Sequence, residues 1–135
     1  MSIINVSAVA LVNEHRRVLV AKRPRGKHMA GLWEFPGGKM EAAETPEKCL
    51  VRELKEELNI KVTQKDLQPI SFAAHAYDEF QLIMLLYGCT CWYGTPTAIE
   101  HDELKWIDAA GLSHLAMPPA DAPLLEPLSR FMRNI

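Results

Sequence analysis

The sequence predicts a mixed α/β domain, with helices packed against a sheet. Three observations predict it. Short runs rich in β-branched and apolar residues recur along the chain, separated by turn residues. One central segment has both helix ends signalled by cap residues. A second helix-forming stretch lies near the C-terminus.

The elements follow in order. Ile3 to Val12 reads as a strand, Asn13-Glu14-His15-Arg16 as a turn, and Arg17 to Arg23 as a second strand, the pair forming a hairpin. Pro24-Arg25-Gly26-Lys27 opens a basic loop. Leu32-Trp33-Glu34-Phe35 is a short strand that Pro36-Gly37-Gly38 ends. Thr45 is suited to the N-cap and Pro46 to the first helical position. Over Pro46 to Leu58, Leu50, Leu54 and Leu58 recur every fourth residue beside Val51, so one face is apolar. Asn59 can take the left-handed conformation that closes a helix. Gln68–Ala76 and Phe80–Trp92 read as strands joined by Tyr77-Asp78-Glu79, and Leu104–Ile107 as another. A last helix runs from about Asp121 to Met132.

Composition narrows the function. The 135 residues read as a single domain, 1–135, large enough for a core without staples. With 48% hydrophobic and 24% charged residues, the chain is neither disordered nor a coiled coil. A formal net charge of −2 argues against a protein that coats nucleic-acid polymers. The three cysteines, Cys49, Cys89 and Cys91, read as buried thiols of a reducing, cytoplasmic compartment, with Cys89 and Cys91 on one strand face. The apolar start has no basic flank and reads as a strand, not a signal peptide, and no run is long enough to span a bilayer. The expected state is a monomer or weak dimer without a membrane partner.

The chemistry is concentrated between Gly37 and Glu57. Glu53, Glu56 and Glu57 are spaced to share nearly one helix face. Like charges at that spacing cost a few tenths of a kcal/mol each in an isolated helix. A solvated acidic face is the plain alternative. Against it, only Arg52 and Lys55 interleave the acids, and a glycine pair and Glu44 lead into the same helix. Carboxylates clustered without nitrogen or sulfur ligands suit Mg²⁺, or Mn²⁺ in its place.

Gly38, Glu44, Arg52-Glu53-Leu54 and Glu56-Glu57, with Asn59-Ile60, resemble the Nudix box Gly-x5-Glu-x7-Arg-Glu-U-x-Glu-Glu-x-Gly-U, U being a bulky aliphatic. Six of its seven fixed residues and both aliphatic positions agree; Asn59 stands where glycine is usual. Lys22-Arg23-Pro24, His28 to Lys39, and Pro118-Pro119-Ala120-Asp121 resemble the MutT branch of that family. The resemblance implies an α/β/α sandwich around a mixed sheet, with the box as a loop–helix–loop. It implies magnesium-dependent cleavage of a nucleoside triphosphate to a monophosphate and pyrophosphate. The branch points to 8-oxo-dGTP, cleared before a polymerase can use it.

The same resemblance assigns roles. Glu53, Glu56 and Glu57 would bind metal, Glu53 also serving as general base, with a backbone carbonyl of Gly37 or Gly38 completing the shell. Glu44 and Arg52 would hold loop to helix. Glu100 would add a further carboxylate, with Glu103 its rival. Arg23, His28 and Lys39 would contact phosphate, although each is also an ordinary surface cation. Phe35 would wall the base pocket or simply fill the core. Asp121 stands where the MutT branch carries a base-reading asparagine. An ionised carboxylate only accepts hydrogen bonds, whereas a protonated one also donates. Nudix enzymes acting on cytidine nucleotides carry aspartate at this motif, so CTP or 5-methyl-dCTP is the alternative substrate. A helix N-cap is the structural alternative for Asp121. A Nudix-fold module that binds nucleotide without cleaving it is the alternative of another class.

Overall fold

The computed structural model describes residues 2–135. It has seven strands: β1 Ser2–Leu11, β2 Val18–Lys22, β3 Trp33–Glu34, β4 Gly37–Lys39, β5 Gln68–Ala76, β6 Phe80–Cys89 and β7 Glu103–Ile107. Three α-helices accompany them: α1 Pro46–Leu58, α2 Ala109–Leu112 and α3 Leu125–Arg133. The strands form two sheets, ordered β4-β1-β6-β5 and β3-β2-β7. β1 and β6 run parallel while the other pairs are antiparallel, so the first sheet is mixed.

Alternate side chains of β1 and β2 enter two cores. Val9, Leu11 and Leu19 pack with Leu50, Leu54 and Leu58 of α1. Ala8, Ala10, Val12, Val18 and Val20 pack with Leu124, Leu128 and Met132 at the other side. Strands buried on both faces read as continuous apolar runs, as these do. The result is the expected α/β/α sandwich.

α1 forms as its sequence dictates. Thr45 accepts the Lys48 N–H at 3.2 Å, Pro46 is at the helix start, and Asn59 closes the helix at φ 54°. The leucine stripe is fully buried. Ser7 of β1 donates its hydroxyl to the Pro46 carbonyl at 3.0 Å, which sets the helix start against the sheet.

Five expectations need correction. The turn at Asn13 is present, its side chain accepting the His15 and Arg17 N–H groups. The hairpin is not: Val12, just past the end of β1, makes an isolated bridge to Val18, and β1 and β2 enter different sheets. Pairing β1 with β6 over ten positions satisfies more backbone than a local hairpin would. Secondly, Gly37–Lys39 continues as β4 along β1. Gly37 has φ 148°, and a Cβ there would stand 2.1 Å from the Ser7 carbonyl, so only glycine permits the pairing. Thirdly, β6 ends at Cys89, so Cys91 lies off the strand and is exposed. All three thiols are free, with Cys49 and Cys89 buried. Fourthly, the last helix starts as a 3-10 turn, Pro119–Leu124, and becomes α-helical at Leu125. Pro123 inside that turn has no N–H to donate. Finally, Asp121 lies within the turn and makes no cap hydrogen bond. Among the described residues, no helix is long and apolar enough to cross a membrane.

Leu54 is fully buried between α1 and the sheets. Leu54→Ala is expected to lower stability by about 2–5 kcal/mol, and Phe72→Ala, on an exposed strand position, by under about 0.5 kcal/mol. Denaturant unfolding of both variants checks the difference.

Candidate active site

A cleft of about 900 Å³ opens where the two sheets meet, within the size range of small-molecule sites. Arg23, His28, Phe35, Gly37, Gly38, Lys39, Glu57, Glu100 and Asp121 all line it. Residues far apart in sequence are thus gathered by β2, β3, β4, α1 and the loop before β7.

One end is acidic and built on α1, where Glu57 lines the cleft and Glu53 and Glu56 stand outside its lining. Glu57 is buried, and its Oε2 accepts the Gly37 N–H at 3.1 Å. Burial, then repulsion from Glu53, pushes its carboxyl up to about 9 against the effect of the Gly37 bond. Glu34 and Glu100 push the same way. Burial also raises Glu53, opposed by Arg52 and reinforced by Glu56 and Glu100. A Cβ on Gly38 would stand 2.5 Å from the Glu53 carboxyl, so the glycine makes room for that group. Glu56 is half-exposed and reaches only Arg52, at 3.5 Å.

Arg52 binds the motif together. Its Nε and Nη2 donate to the two oxygens of Glu44 at 2.8 and 2.9 Å, a bidentate pair. Nη1 donates to Glu53 Oε1 at 2.8 Å and Nη2 to the Lys39 carbonyl at 3.2 Å. These bonds hold the Glu44 carboxyl down to about 2. Cys49 sits beneath, its thiol pushed up to about 11 chiefly by burial, which leaves it unreactive.

The other end of the cleft is sealed. Asp121 is wholly buried, and neither carboxyl oxygen has a hydrogen-bond partner. Burial, then Glu34, pushes it up to about 7, with Arg23 opposing. Phe35 is buried in the core and also lines the cleft. Tyr77 and Phe80, stacked 4.9 Å apart, form a second aromatic wall. Arg23 donates to Glu34 Oε1 and to the His28 carbonyl, both at 2.7 Å. Lys39 is exposed at the mouth.

Glu103 does not line the cleft but an adjoining, smaller hollow with Lys22 and Arg25. Glu34, His101, Tyr77 and Phe80 are among the cleft residues to which the sequence assigns no role. Glu34 carried one signal, a carboxylate between Trp33 and Phe35 in a strand. His101 and Tyr77 lie in connections where no periodicity points inward.

The NUDIX domain family profile matches residues 7–127 of this chain. The chain belongs to the Nudix family. It is a Nudix hydrolase of MutT-like type. An 8-oxo-dGTP diphosphatase of Proteus vulgaris is 40% identical over 89 residues, covering 66% of this chain and 78% of the relative. A CTP pyrophosphohydrolase of Escherichia coli K12 is 38% identical over 128 residues, covering 93% and 91%. A solved structure from work on MutT of Aliivibrio salmonicida and Vibrio cholerae superposes with a TM-score of 0.77 at 31% identity, covering 96% of this chain and 99% of that one.

The Gly38 approach generates a prediction for this hydrolase. Gly38→Ala must displace the Glu53 carboxyl and is expected to cut turnover roughly a hundredfold. Steady-state hydrolysis by the purified variant, alongside its melting curve, checks this; unchanged turnover would contradict the placement of Glu53.

Proposed function

We propose that this chain is a magnesium-dependent nucleoside-triphosphate pyrophosphohydrolase that acts on 8-oxo-dGTP. It would release 8-oxo-dGMP and pyrophosphate and so keep the oxidised nucleotide from replication. The observation that carries the reading is a single cleft with carboxyls at both ends whose charged forms burial disfavours. Glu53 and Glu57 repel each other at one end, and Asp121 lacks any partner at the other.

The carboxylate end fits a hard divalent cation. Among the described residues, no three His, Cys, Asp or Glu side chains are already gathered around one point. The fit rests instead on oxygen donors that raise one another's proton affinity, a conflict a cation relieves. Glu53, Glu56, Glu57 and Glu100, with a carbonyl of Gly37 or Gly38, would hold Mg²⁺, or Mn²⁺ in its place. Such an ion supplies charge neutralisation for the triphosphate and polarises the phosphoryl group under attack.

The chain's own residues do the rest. Glu53 is the general base for the attacking water, oriented by Arg52. Arg52 and Glu44 fix the motif and touch no substrate. Lys39 and His28 approach phosphate oxygens from the cleft mouth, and Arg23 has its Nη2 group left for the same task. Phe35, Tyr77 and Phe80 flank the base. Asp121 reads its edge.

A second reading takes CTP or 5-methyl-dCTP. Asp121 favours it. A protonated carboxyl offers one donor and one acceptor, which match N3 and N4–H₂ of cytosine. The relative named CTP pyrophosphohydrolase, similar over most of the chain, supports the same alternative. A nucleotide-binding module without catalysis is disfavoured by intact Glu53, Glu56 and Glu57. Free cysteines fit a reducing, cytoplasmic setting.

Pyrophosphate release from 8-oxo-dGTP, dGTP, CTP, dCTP and 5-methyl-dCTP tests the substrate. Preference for 8-oxo-dGTP supports the first reading, and preference for cytidine nucleotides replaces it with the second. Asp121→Asn is expected to change the ranking of these substrates by kcat/KM. Glu53→Gln is expected to lower kcat roughly 10²–10⁴-fold with the fold retained. The raised Glu57 carboxyl sets a sign for pH. Its proton stabilises the free protein below the ordinary carboxylate range, and that contribution is lost as pH rises towards about 9. A cation competes with that proton. The rise in Tm on adding Mg²⁺ is therefore expected to grow from pH 6 to pH 8, with proton release visible by calorimetry in buffers of different ionisation enthalpy.

A further inference from the structure

His101 has no task in the reading above, yet it is among the most buried polar side chains of the protein, 4% exposed. Its Nε2 lies 2.9 Å from Glu34 Oε2. Its Nδ1 is sealed and unpartnered. The second oxygen of Glu34 accepts from Arg23 Nη1, and Arg23 Nε donates to the His28 carbonyl. The bonds form one line: His101, Glu34, Arg23, His28. It crosses three segments that are distant in sequence, namely the connection before β7, strand β3 and the loop after β2.

The loop at the end of this line needs an anchor. Residues 24–31 contain Met29 at φ 59° and two glycines in the left-handed region. The other hydrogen bonds of residues 24–31, among the described residues, link backbone groups within the loop and at its base. The Arg23 side chain is what ties the loop's middle to the strands. The same loop presents Arg25, Lys27 and His28 to the cleft. A satisfied core histidine would bond to backbone. This one bonds to a carboxylate whose other oxygen grips the loop's anchor.

We propose that His101 is a positioning residue which, through Glu34, holds the Arg23 guanidinium on the His28 carbonyl and so sets the cationic 24–31 loop over the cleft. The loop supplies charge for the phosphate chain, which rests on the function proposed above. Loosening it weakens nucleotide binding and leaves the carboxylate wall on α1 in place. The rival role runs through the neighbouring Glu100. It would disturb that wall and lower kcat instead.

Two measurements separate these roles. The first is trypsin nicking of the full chain without nucleotide, followed by mass spectrometry. His101→Ala is expected to speed cleavage after Arg25 and Lys27 roughly ten- to a hundredfold, with cleavage after Lys55 of α1 unchanged. His101→Gln, whose amide can still donate to Glu34, should return the loop rate towards wild type. Should His101→Ala not fold, the isosteric Glu34→Gln carries the test and must speed nicking at the same two sites. Wild-type nicking in every variant overturns the proposal. So does acceleration at all sites together, or failure of His101→Gln to rescue.

The second measurement is kinetic. His101→Ala should raise KM about tenfold with kcat within about twofold. A fall in kcat at unchanged KM overturns the proposal in favour of the Glu100 route. If the wild-type chain releases pyrophosphate from no nucleotide, the proposed function fails, while the nicking result still decides the positioning role.

Discussion

The Arg52 guanidinium is the constraint on which the site depends. Helix α1 carries Glu53, Glu56 and Glu57, and the loop before it carries Glu41 and Glu44. Arg52 stands among four of these five acids and meets Glu44 with both prongs of its fork. An exposed ion pair contributes little to stability. This one is three-quarters buried, bidentate, and also bonded to the Lys39 carbonyl. It joins β4, the following loop and α1 into one unit. It also holds Glu53 by one oxygen, which orients the carboxylate.

That unit matters because the cleft lies on a seam. β4 belongs to the mixed sheet and β3 to the antiparallel one, with only Phe35 and Pro36 between them. Both sheets therefore contribute to the cleft. Glu57 is bonded to Gly37 on one side of the seam, and Glu34 is bonded to Arg23 on the other. Without ligand, both ends hold acids whose charged forms are disfavoured by burial. A buried polar group without a partner is costly, and such groups cluster where a ligand completes them. The protein keeps that cost because its core is otherwise continuous on both faces of β1 and β2.

Legibility from sequence follows the range of the interactions. α1 was readable to the residue because its caps, its leucine stripe and its acids are all set within a few positions. The hairpin was misread because adjacency in sequence suggested a pairing that β6, distant in sequence, displaces. β4 was hidden because a glycine pair usually marks a turn, whereas here it lets the backbone approach Ser7. Asp121 looked like a cap because aspartate before proline commonly is one, and only the packing shows it sealed without a donor. Glu34 and His101 meet across 67 positions, a distance over which no local pattern reports.

The same division of range accounts for how one motif can serve different nucleotides. The carboxylates, Arg52 and the glycines belong to one continuous stretch whose geometry is fixed locally. The opposite end is assembled from β3, the Tyr77 connection and the 3-10 turn, which are distant from one another in sequence. Substitution there alters the lining at that end and leaves α1 untouched. Relatives named for 8-oxo-dGTP and for CTP can thus both resemble this chain closely. At Asp121 a carboxyl stands where the resemblance drawn from the sequence has an amide. An amide presents its donor and acceptor at every pH. A carboxyl presents both only while protonated, and burial beside Glu34 keeps Asp121 near that balance. Under the function proposed above, base recognition would be tied to the charge state of Asp121, which its neighbours Glu34 and Arg23 push in opposite directions.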